Sequence, residues 1–322
     1  MNNSEFDVIK KYFTFSEQRP DVLLAGGDDC AVVSVPDGKR LVVTTDTLIS
    51  GVHFPEKTSP EDIAYKALMV NLSDLAAMGA TPAWVTLAIS LPEINQSWLT
   101  AFSQQFSAVL SKYDISLIGG DTTRGALSIT IQAMGLCDAE KILRRDSAKE
   151  GDKIFVTGYI GDAAVGLYSI VNKLDDENLA SCVKRLNRPQ ARIGFAEGLT
   201  RYSSCAIDIS DGLVADLGHV VRASQCGADI QLSAVPLSSA VLNYFAQYHK
   251  NNIDWSMVLT QGDDYELCFT VNTEDVPGVE ELAKKHRLKV SYIGDITASG
   301  CLNFYDENNV LIDFENTGFK HF

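Results

Sequence analysis

Acidic turns recur where apolar, β-branched segments of the sequence begin or end. They are Gly26-Gly27-Asp28-Asp29, Thr44-Thr45-Asp46-Thr47, Gly119-Gly120-Asp121-Thr122-Thr123 and Asp208-Ile209-Ser210-Asp211-Gly212. Glycine lets a ligand approach the backbone closely, and a carboxylate is a hard oxygen donor of the kind that Mg²⁺ prefers. Any one of these turns alone is more typical of a helix cap or a turn closure. Four in one chain favour a site for a metal-bound polyphosphate.

Another aspartate lies inside a predicted helix. Residues 59–79 open with Ser59-Pro60-Glu61-Asp62, a capping serine followed by proline and two acids, which is typical of a helix start. Asp74 shares one face of this helix with Ala67 and Asn71. Burying an unpaired carboxylate is costly, so either this face is solvated or a cation lies opposite Asp74. The spacing alone does not decide between the two.

Three further polar groups each allow a functional and a simpler interpretation. By turn preferences, Gly262–Leu267 is expected to be a solvated turn, although it offers more carboxylates. His53, after Ser50-Gly51-Val52, is more typical of a loop residue than of a ligand. The Arg144-Arg145 pair usually indicates a solvated face, yet it could offer phosphate a fork of donors. The P-loop pattern, the protein-kinase catalytic loop and GxGxxG are absent from the sequence.

The charge balance limits the possible partners. The chain has 322 residues and a formal net charge of −15, which opposes nonspecific attraction to nucleic acid or to an anionic membrane surface. If phosphate compounds bind, cations must mediate much of the binding. We therefore expect no nucleic-acid or membrane partner.

Composition predicts a folded intracellular protein. Apolar residues make up 46% of the chain, enough for the cores of two domains of ordinary size. No apolar run approaches the roughly 20 residues that cross a bilayer, and charged residues are scattered through the first twenty positions. The seven cysteines are odd in number and never form a CxxC pair, so each is predicted to be a small buried hydrophobe rather than a zinc ligand or a disulfide partner.

The element pattern that must position these groups is mixed α/β. Strands are predicted at 40–45, 84–91, 127–136, 153–157, 205–209, 228–232, 266–271 and 289–293. Helices are predicted at 59–79, 97–112, 160–173, after Asp211, and at 279–287. Several strands follow one another without a helix between them, which favours mixed or antiparallel sheets. The polar segment 144–152 suggests two domains, residues 1–148 and 149–322.

Six motifs in order resemble the thiamine-monophosphate kinase family, from about residue 26 to the C-terminus. They are Gly27-Asp28-Asp29-Cys30-Ala31, Thr45-Asp46-Thr47 with Gly51-Val52-His53-Phe54, Asn71–Ala80, Gly119–Thr123, Asp208–Leu213 and Asp264-Tyr265-Glu266-Leu267. The resemblance implies the two-domain α/β architecture of the aminoimidazole ribonucleotide synthetase-like superfamily. It also implies a homodimer whose N-terminal domains meet through their sheets. The N-terminal domain would bind ATP and Mg²⁺, and the C-terminal domain would complete the active site.

The resemblance also implies roles for individual positions. Magnesium-binding positions are Asp29, Thr44, Thr45, Asp46, Asp74, Asp121, Asp208 and Asp211, of which Asp46, Asp74, Asp121 and Asp211 would form the catalytic centre. Positions that contact ATP are Gly120, Asp121, Arg145, Ser210 and Tyr113. Substrate positions are His53, Asp263 and Phe319. The family usually has glutamate where this chain has Asp263.

The activity implied is the ATP-dependent phosphorylation of thiamine monophosphate to thiamine diphosphate, the last step of thiamine diphosphate biosynthesis, in the cytoplasm. Several Mg²⁺ ions would assist a direct in-line transfer, and the scattered aspartates are expected to converge on one pocket. Two alternatives stay open at this point: a related ATP-dependent enzyme that activates a carbonyl or selenide substrate, and a sensor that binds Mg-ATP without consuming it.

Overall fold

The chain folds into two compact units. The computed structural model describes residues 5–15, 19–314 and Gly318, and the predicted substrate position Phe319 lies outside them. The first unit contains residues up to Leu75 together with Ala80–Glu140, and the second contains Ala76–Gly79 and the residues from Lys141 onward. The division therefore falls slightly before the boundary at 148/149 that the sequence suggests.

The first unit is built on a four-stranded sheet. The strands of the whole unit are Val22–Leu24 (β1), Val32–Val33 (β2), Lys39–Ile49 (β3), Thr81–Leu91 (β4), Ser116–Arg124 (β5) and Ser128–Asp138 (β6). The large sheet has the order β3-β6-β4-β5, and β1 and β2 form a separate antiparallel pair. Only β4 and β5 are parallel in the large sheet, as expected for strands joined by a helical crossover.

The helices of the first unit begin where the capping residues indicate. They are Glu5–Tyr12 (α1), Pro60–Ala77 (α2) and Gln96–Lys112 (α3). Ser59 Oγ accepts the Asp62 N–H at 3.2 Å, and Asn95 Oδ1 accepts the Trp98 N–H at 3.1 Å. These side chains satisfy donors that a helix start leaves open. The predicted helices at 59–79 and 97–112 are confirmed.

The two faces of the four-stranded sheet differ in character. Ile129, Ile131 and Ala133 on β6 are fully buried. On β3, by contrast, exposure alternates from residue to residue, since side chains of a strand point alternately to its two faces. Three apolar side chains of β3 lie on its exposed face: Leu41, Val43 and Ile49. The first unit therefore carries an apolar surface on one side of its sheet.

The second unit is built on a seven-stranded sheet. Its strands are Lys153–Thr157 (β7), Cys205–Asp208 (β8), Gly227–Gln231 (β9), Leu267–Val271 (β10), Val290–Thr297 (β11), Leu302–Tyr305 (β12) and Leu311–Ile312 (β13). Their order is β13-β12-β9-β11-β7-β10-β8. Neighbours are antiparallel except β12 and β9. The prediction of mixed and antiparallel sheets in an α/β chain is confirmed.

Helices surround this second sheet. They are Asp162–Val171 (α4), Ala180–Asn187 (α5), Ile193–Leu199 (α6), Leu213–Ser224 (α7), Ser239–His249 (α8), Trp255–Thr260 (α9) and Val276–His286 (α10). The sequence predicted α4, α7 and α10 but missed α1, α5, α6, α8 and α9. Among the helices of the described residues, none combines the length and the apolar character needed to span a membrane.

The cysteines divide into two groups. Cys137, Cys182, Cys205, Cys226 and Cys268 are buried, whereas Cys30 and Cys301 are exposed. All seven are free thiols. The prediction that each cysteine is buried is therefore wrong for two of them, because both lie in loops between consecutive strands.

Candidate functional site

In the first unit, hydrogen bonds join β3, which carries Asp46, to α2, which carries Asp74. Thr44 Oγ1 donates to Asp74 Oδ2 at 2.5 Å, and the Asp46 N–H donates to Asn71 Oδ1 at 3.1 Å. Asn71 is fully buried and its amide donates to the Ala67 carbonyl at 3.0 Å. Asp74 itself is half-buried. The helix face therefore holds Asp74 beside the hydroxyl of Thr44, which lies two residues from Asp46 on the same face of β3.

Thr45 does not join this group. It is exposed, whereas Thr44 and Asp46 are partly covered, because alternate residues of β3 face opposite sides. Asp46 also lies well inside β3, which continues to Ile49. The expectation that Asp46 ends a strand is therefore wrong, and the strand is longer than its β-branched stretch alone indicates.

Asp121 lies on the other edge of the same sheet. It is an exposed residue inside β5, so the expectation of a turn at Gly119–Thr123 is wrong. Two strands separate β5 from β3, which places the two strands about 14 Å apart at the usual spacing. A Cβ at Gly120 would lie 1.9 Å from the Leu87 carbonyl oxygen, so only glycine lets β5 approach β4 this closely. Asp121 is thus not a direct neighbour of Asp46 across the sheet.

Two other predicted positions of the first unit stand apart from these carboxylates. Asp29 is exposed in the connection between β1 and β2, where its N–H donates to Asp28 Oδ1 at 2.8 Å. Tyr113 ends α3, just before β5 begins at Ser116. Asp121 lies about 16 Å from Ser116 along that strand at the usual rise per residue.

His53 sits in a tightly bonded turn after β3. Its Nδ1 accepts the Ile49 N–H at 3.0 Å, and its own N–H donates to the Ile49 carbonyl at 2.9 Å. The Lys66 ammonium, on a side chain that is 2% exposed, donates to the His53 carbonyl at 3.2 Å. The turn therefore holds the half-buried ring in one orientation with Nδ1 as an acceptor.

In the second unit, the loop after β8 holds three predicted positions. Asp208 ends β8 and is buried, and Ser210 and Asp211 lie half-buried directly before α7. The N–H groups of Ser210 and Asp211 both donate to Asp216 Oδ2, each at 3.0 Å. Asp216, on the first turn of α7, therefore fixes the shape of this loop.

Asp216 is not among the residues that the sequence predicts for the site, yet its pKa is strongly shifted. It is 3% exposed. Burial, together with the like charge of Asp211, raises the pKa of Asp216 to about 7, although backbone N–H groups of the loop oppose that shift. The only signal for Asp216 in the sequence is its position in the first turn of the helix predicted after Asp211.

Asp263 packs directly on the same loop. Its N–H donates to the Ser210 carbonyl at 2.8 Å, and its φ is 68°, a left-handed conformation that aspartate tolerates better than most residues. Gly262, at φ 70°, is required because a Cβ there would lie 2.1 Å from the Ser210 carbonyl oxygen. A backbone hydrogen bond in the second unit thus links Asp263, a predicted substrate position, to Ser210, a predicted ATP position.

Most of the Gly262–Leu267 segment is buried, and its other residues are half-buried, so the expectation of a solvated turn is wrong. Asp264 is 3% exposed and Glu266 is 1% exposed. Burial raises the pKa of Asp264 well above its usual value, while the Gly161 N–H lowers it. Glu266 is instead paired with Arg185 and Arg192. Those arginines come from distant helical segments, which the sequence motif could not reveal.

The two adjacent arginines before the second unit's first strand behave differently. Arg144 is paired with Asp146 at 2.5 Å, whereas Arg145 is exposed and makes no ion pair with any described residue. Burial lowers the pKa of His219 on α7 most, the positive charges of Arg222 and then Arg145 lower it further, and Asp211 raises it. Only Arg145 of the pair therefore has an uncommitted guanidinium near the Asp211 loop.

The structure therefore gathers the predicted residues into local groups. One holds Thr44, Asp46 and Asp74; another holds Asp208, Ser210, Asp211 and Asp263. Within the described ranges, no cluster of three or more His, Cys, Asp or Glu side chains is arranged to hold a metal ion. Each group contains at least two carboxylates, the usual protein share of a Mg²⁺ site whose remaining ligands are water and phosphate. The donor sets fit Mg²⁺ on that basis.

Family comparisons agree with the fold and the motifs. Residues 27–137 match the N-terminal domain of AIR synthase related proteins, and residues 149–307 match the C-terminal domain of that family. The chain belongs to the AIR synthase related family. It is also 44% identical over 325 residues to the thiamine-monophosphate kinase of Escherichia coli K12, covering 99% of this chain and 98% of that protein. The chain thus belongs to the thiamine-monophosphate kinase family of enzymes, and the resemblance is confirmed.

Solved structures show the same relationship. The crystal structure of thiamine-monophosphate kinase from Stenotrophomonas maltophilia K279a has a TM-score of 0.83 and 42% identity, covering 89% of this chain and 92% of that one. The structure of AaThiL complexed with AMPPCP and TMP has a TM-score of 0.79 and 29% identity, covering 98% and 96%. The two-domain α/β architecture is therefore shared with structurally characterised kinases.

The raised pKa of Asp216 generates a test. The folded chain holds this proton more tightly than the unfolded chain, because folding raises the pKa from an ordinary 3.8 to about 7. The resulting stabilisation is complete below the unfolded value and is lost as the pH rises through the folded one. Asp216→Asn keeps an acceptor oxygen but cannot titrate. The melting temperature of the variant relative to that of the wild type should therefore increase from pH 5 to pH 8, measured with a metal chelator present.

Asp175→Asn, at an exposed position, is the matched control and should show no such trend. Parallel melting curves for Asp216→Asn and wild type across this pH range would contradict a buried, titrating Asp216.

Proposed function

We propose that this chain transfers the terminal phosphate of ATP to thiamine monophosphate, forming thiamine diphosphate and ADP, the last step of thiamine diphosphate biosynthesis. The observation that carries the proposal is the 44% identity to the Escherichia coli K12 kinase over nearly the whole of both chains. The complex of AaThiL with AMPPCP and TMP supports it, since that relative binds an ATP analogue together with TMP.

The acidic groups suit a reaction between two anions. Unit charges ~4 Å apart at an effective dielectric of ~20 interact by ~4 kcal/mol, so two phosphate groups cannot approach without compensation. Asp46 and Asp74 in the first unit, and Asp208 and Asp211 in the second, would hold Mg²⁺. Bound there, Mg²⁺ supplies charge neutralisation and orientation of phosphate oxygens. Asp29, Thr45 and Asp121 are proposed ligands by family resemblance.

The remaining roles concern orientation of the two substrates. Ser210 lies in a loop whose backbone is fixed by Asp216, and Arg145 offers a guanidinium for phosphate. Gly120 and Tyr113 are proposed ATP contacts by resemblance. His53, Asp263 and Phe319 are proposed to bind the acceptor. An acceptor that is already an anionic phosphate oxygen needs no strong general base, so these residues need only orient it.

The homodimer and the cytoplasmic location also belong to the proposal. The exposed apolar side chains Leu41, Val43 and Ile49 give the sheet of the first unit a surface that a second copy could cover. This surface supports a dimer in which the sheets of two copies meet.

The direct test is a coupled product assay. Purified protein is incubated with ATP and Mg²⁺, with and without thiamine monophosphate, and ADP and thiamine diphosphate are quantified by chromatography and mass spectrometry. Equimolar ADP and thiamine diphosphate, formed only with the acceptor present, is the expected result. ADP release without thiamine diphosphate would indicate a different ATP-dependent enzyme, and binding of ATP without turnover would indicate a sensor.

The proposed role of Asp46 and Asp74 leads to a specific prediction. Asp46→Asn and Asp74→Asn each remove one anionic ligand but keep the side-chain shape, so the fold should survive while kcat falls by a factor on the order of 100 or more and the Mg²⁺ requirement rises. Steady-state kinetics at varied Mg²⁺ and a melting curve measure both effects.

Asp37→Asn, an exposed turn residue of the first unit, is the control for the charge change and should behave as wild type. Wild-type rates in both site variants would remove this group from the active site.

Direct transfer predicts a stereochemical result. A single in-line displacement inverts the configuration of a chiral γ-phosphorus, whereas a phospho-enzyme intermediate involves two displacements and retains it. We expect inversion when isotopically chiral ATP is used and the product is read by ³¹P NMR. Net retention would show that a side chain carries the phosphate.

The dimer is tested at the exposed sheet face. Val43 is 49% exposed on β3, and Val43→Asp would place a charge in the proposed interface, where its burial is costly. Light scattering after size exclusion should show twice the chain mass for wild type and one chain mass for the variant. Val171→Asp, at the exposed last residue of α4 in the second unit, should leave the dimer intact. A monomeric wild type would contradict the proposal.

A further inference from the structure

A buried ionic cluster lies behind the loop that carries Asp263. Its centre is Glu266, which is 1% exposed and directly precedes β10. Glu266 Oε2 accepts the Thr157 hydroxyl at 2.6 Å and Arg192 Nε at 2.6 Å, and Oε1 accepts Arg185 Nη2 at 2.8 Å. Arg192 Nη2 also donates to Oε1. The buried carboxylate is therefore paired with two guanidinium groups.

The two arginines reach different parts of this segment. Arg185 Nη2 contacts both the Glu266 carboxylate and the Asp264 carbonyl, the latter at 3.1 Å. Arg192 contacts Glu266 and, through Nη1, the Gln190 side chain at 3.1 Å. Arg185 thus holds the backbone of the loop directly, whereas Arg192 holds only the carboxylate at its base.

The segment held in this way has an unfavourable backbone conformation. Asp263 and Tyr265 have φ values of 68° and 49°, a region that residues with a Cβ rarely occupy unless their surroundings impose it. The Asp264 side chain is fixed as well, since both of its oxygens lie 3.1 Å from the Gly161 N–H. Contacts on several sides therefore determine where Asp263 lies.

The other side of the segment is bonded to the loop after β8. The Asp263 and Tyr265 N–H groups donate to the carbonyls of Ser210 and Ile209, each at 2.8 Å, and the Ile209 N–H donates to the Glu266 carbonyl at 2.8 Å. Asp263 therefore sits between a buried cluster and a loop that Asp216 already fixes. A shift of Glu266 would move Asp263 relative to Ser210.

We propose that Arg185 and Arg192 are positioning residues which act through Glu266 and the Asp264 backbone to hold Asp263 where it binds the phosphate-ester acceptor. They set the affinity for thiamine monophosphate and not that for ATP. The inference rests on the proposed function, in which Asp263 contacts the acceptor. Arg185, which also bonds the loop backbone, has the larger effect of the two.

The test compares Arg185→Met, Arg192→Met and the control Lys184→Met, an exposed neighbour on α5. The KM values for thiamine monophosphate and for ATP and the kcat are measured for each, with a melting curve to establish folding. Arg185→Met should raise the acceptor KM by about tenfold, the scale of one charge-assisted hydrogen bond, with the KM for ATP unchanged. Arg192→Met should have a smaller effect, and Lys184→Met none.

Conservative variants separate positioning from general stability. Arg185→Lys keeps a cation and at least one donor, so its acceptor KM should lie between those of wild type and Arg185→Met. If Arg185→Met does not fold, Arg185→Lys and Glu266→Gln carry the test, since both keep the shape of the cluster; each should raise the acceptor KM alone.

The contrary results are distinct. An unchanged acceptor KM in these variants, or equal increases in the KM for both substrates, overturns the positioning role while the kinase activity of the wild type still stands. A wild type that forms no thiamine diphosphate overturns the proposed function first, and the positioning role with it.

Discussion

Electrostatic repulsion between phosphate groups is the constraint on which the proposed reaction depends. A chain with a net charge of −15 adds to that repulsion, so the proposal requires carboxylates held where cations can offset it. In the first unit, Asp74 accepts the Thr44 hydroxyl, and the backbone at Asp46 is held by Asn71. A hydroxyl donor thus orients the Asp74 carboxylate, and a buried amide fixes the strand at Asp46.

In the second unit, the acids that fix the loops are different from the acids proposed to bind ligands. Asp216 accepts two backbone N–H groups beneath the Asp211 loop, and Glu266 is paired with Arg185 and Arg192 beneath Asp263. Burial makes such groups costly to leave unpaired, so their partners fix the loops strongly. Asp211 and Asp263 lie half-buried in the loops that these buried groups hold in place.

Much of the fold follows from the sequence, because all eight predicted strands and all five predicted helices are present. Strand β5 escaped prediction since Gly119, Gly120 and Asp121 have low β propensity, and pairing with β4 stabilises it instead. Glu266 was misjudged because its partners Arg185 and Arg192 lie 81 and 74 residues earlier in the chain. Local patterns supplied the candidate residues of the family motifs, but not the long-range contacts that hold them.

The central claim is that this acidic chain binds phosphate compounds through divalent cations. It is tested most directly by calorimetric titration of wild-type protein with the non-hydrolysable analogue AMPPCP at increasing Mg²⁺ and constant ionic strength. The account predicts that binding is undetectable with a chelator and strengthens by at least about tenfold as Mg²⁺ becomes saturating. Equally tight binding with and without Mg²⁺ would contradict it.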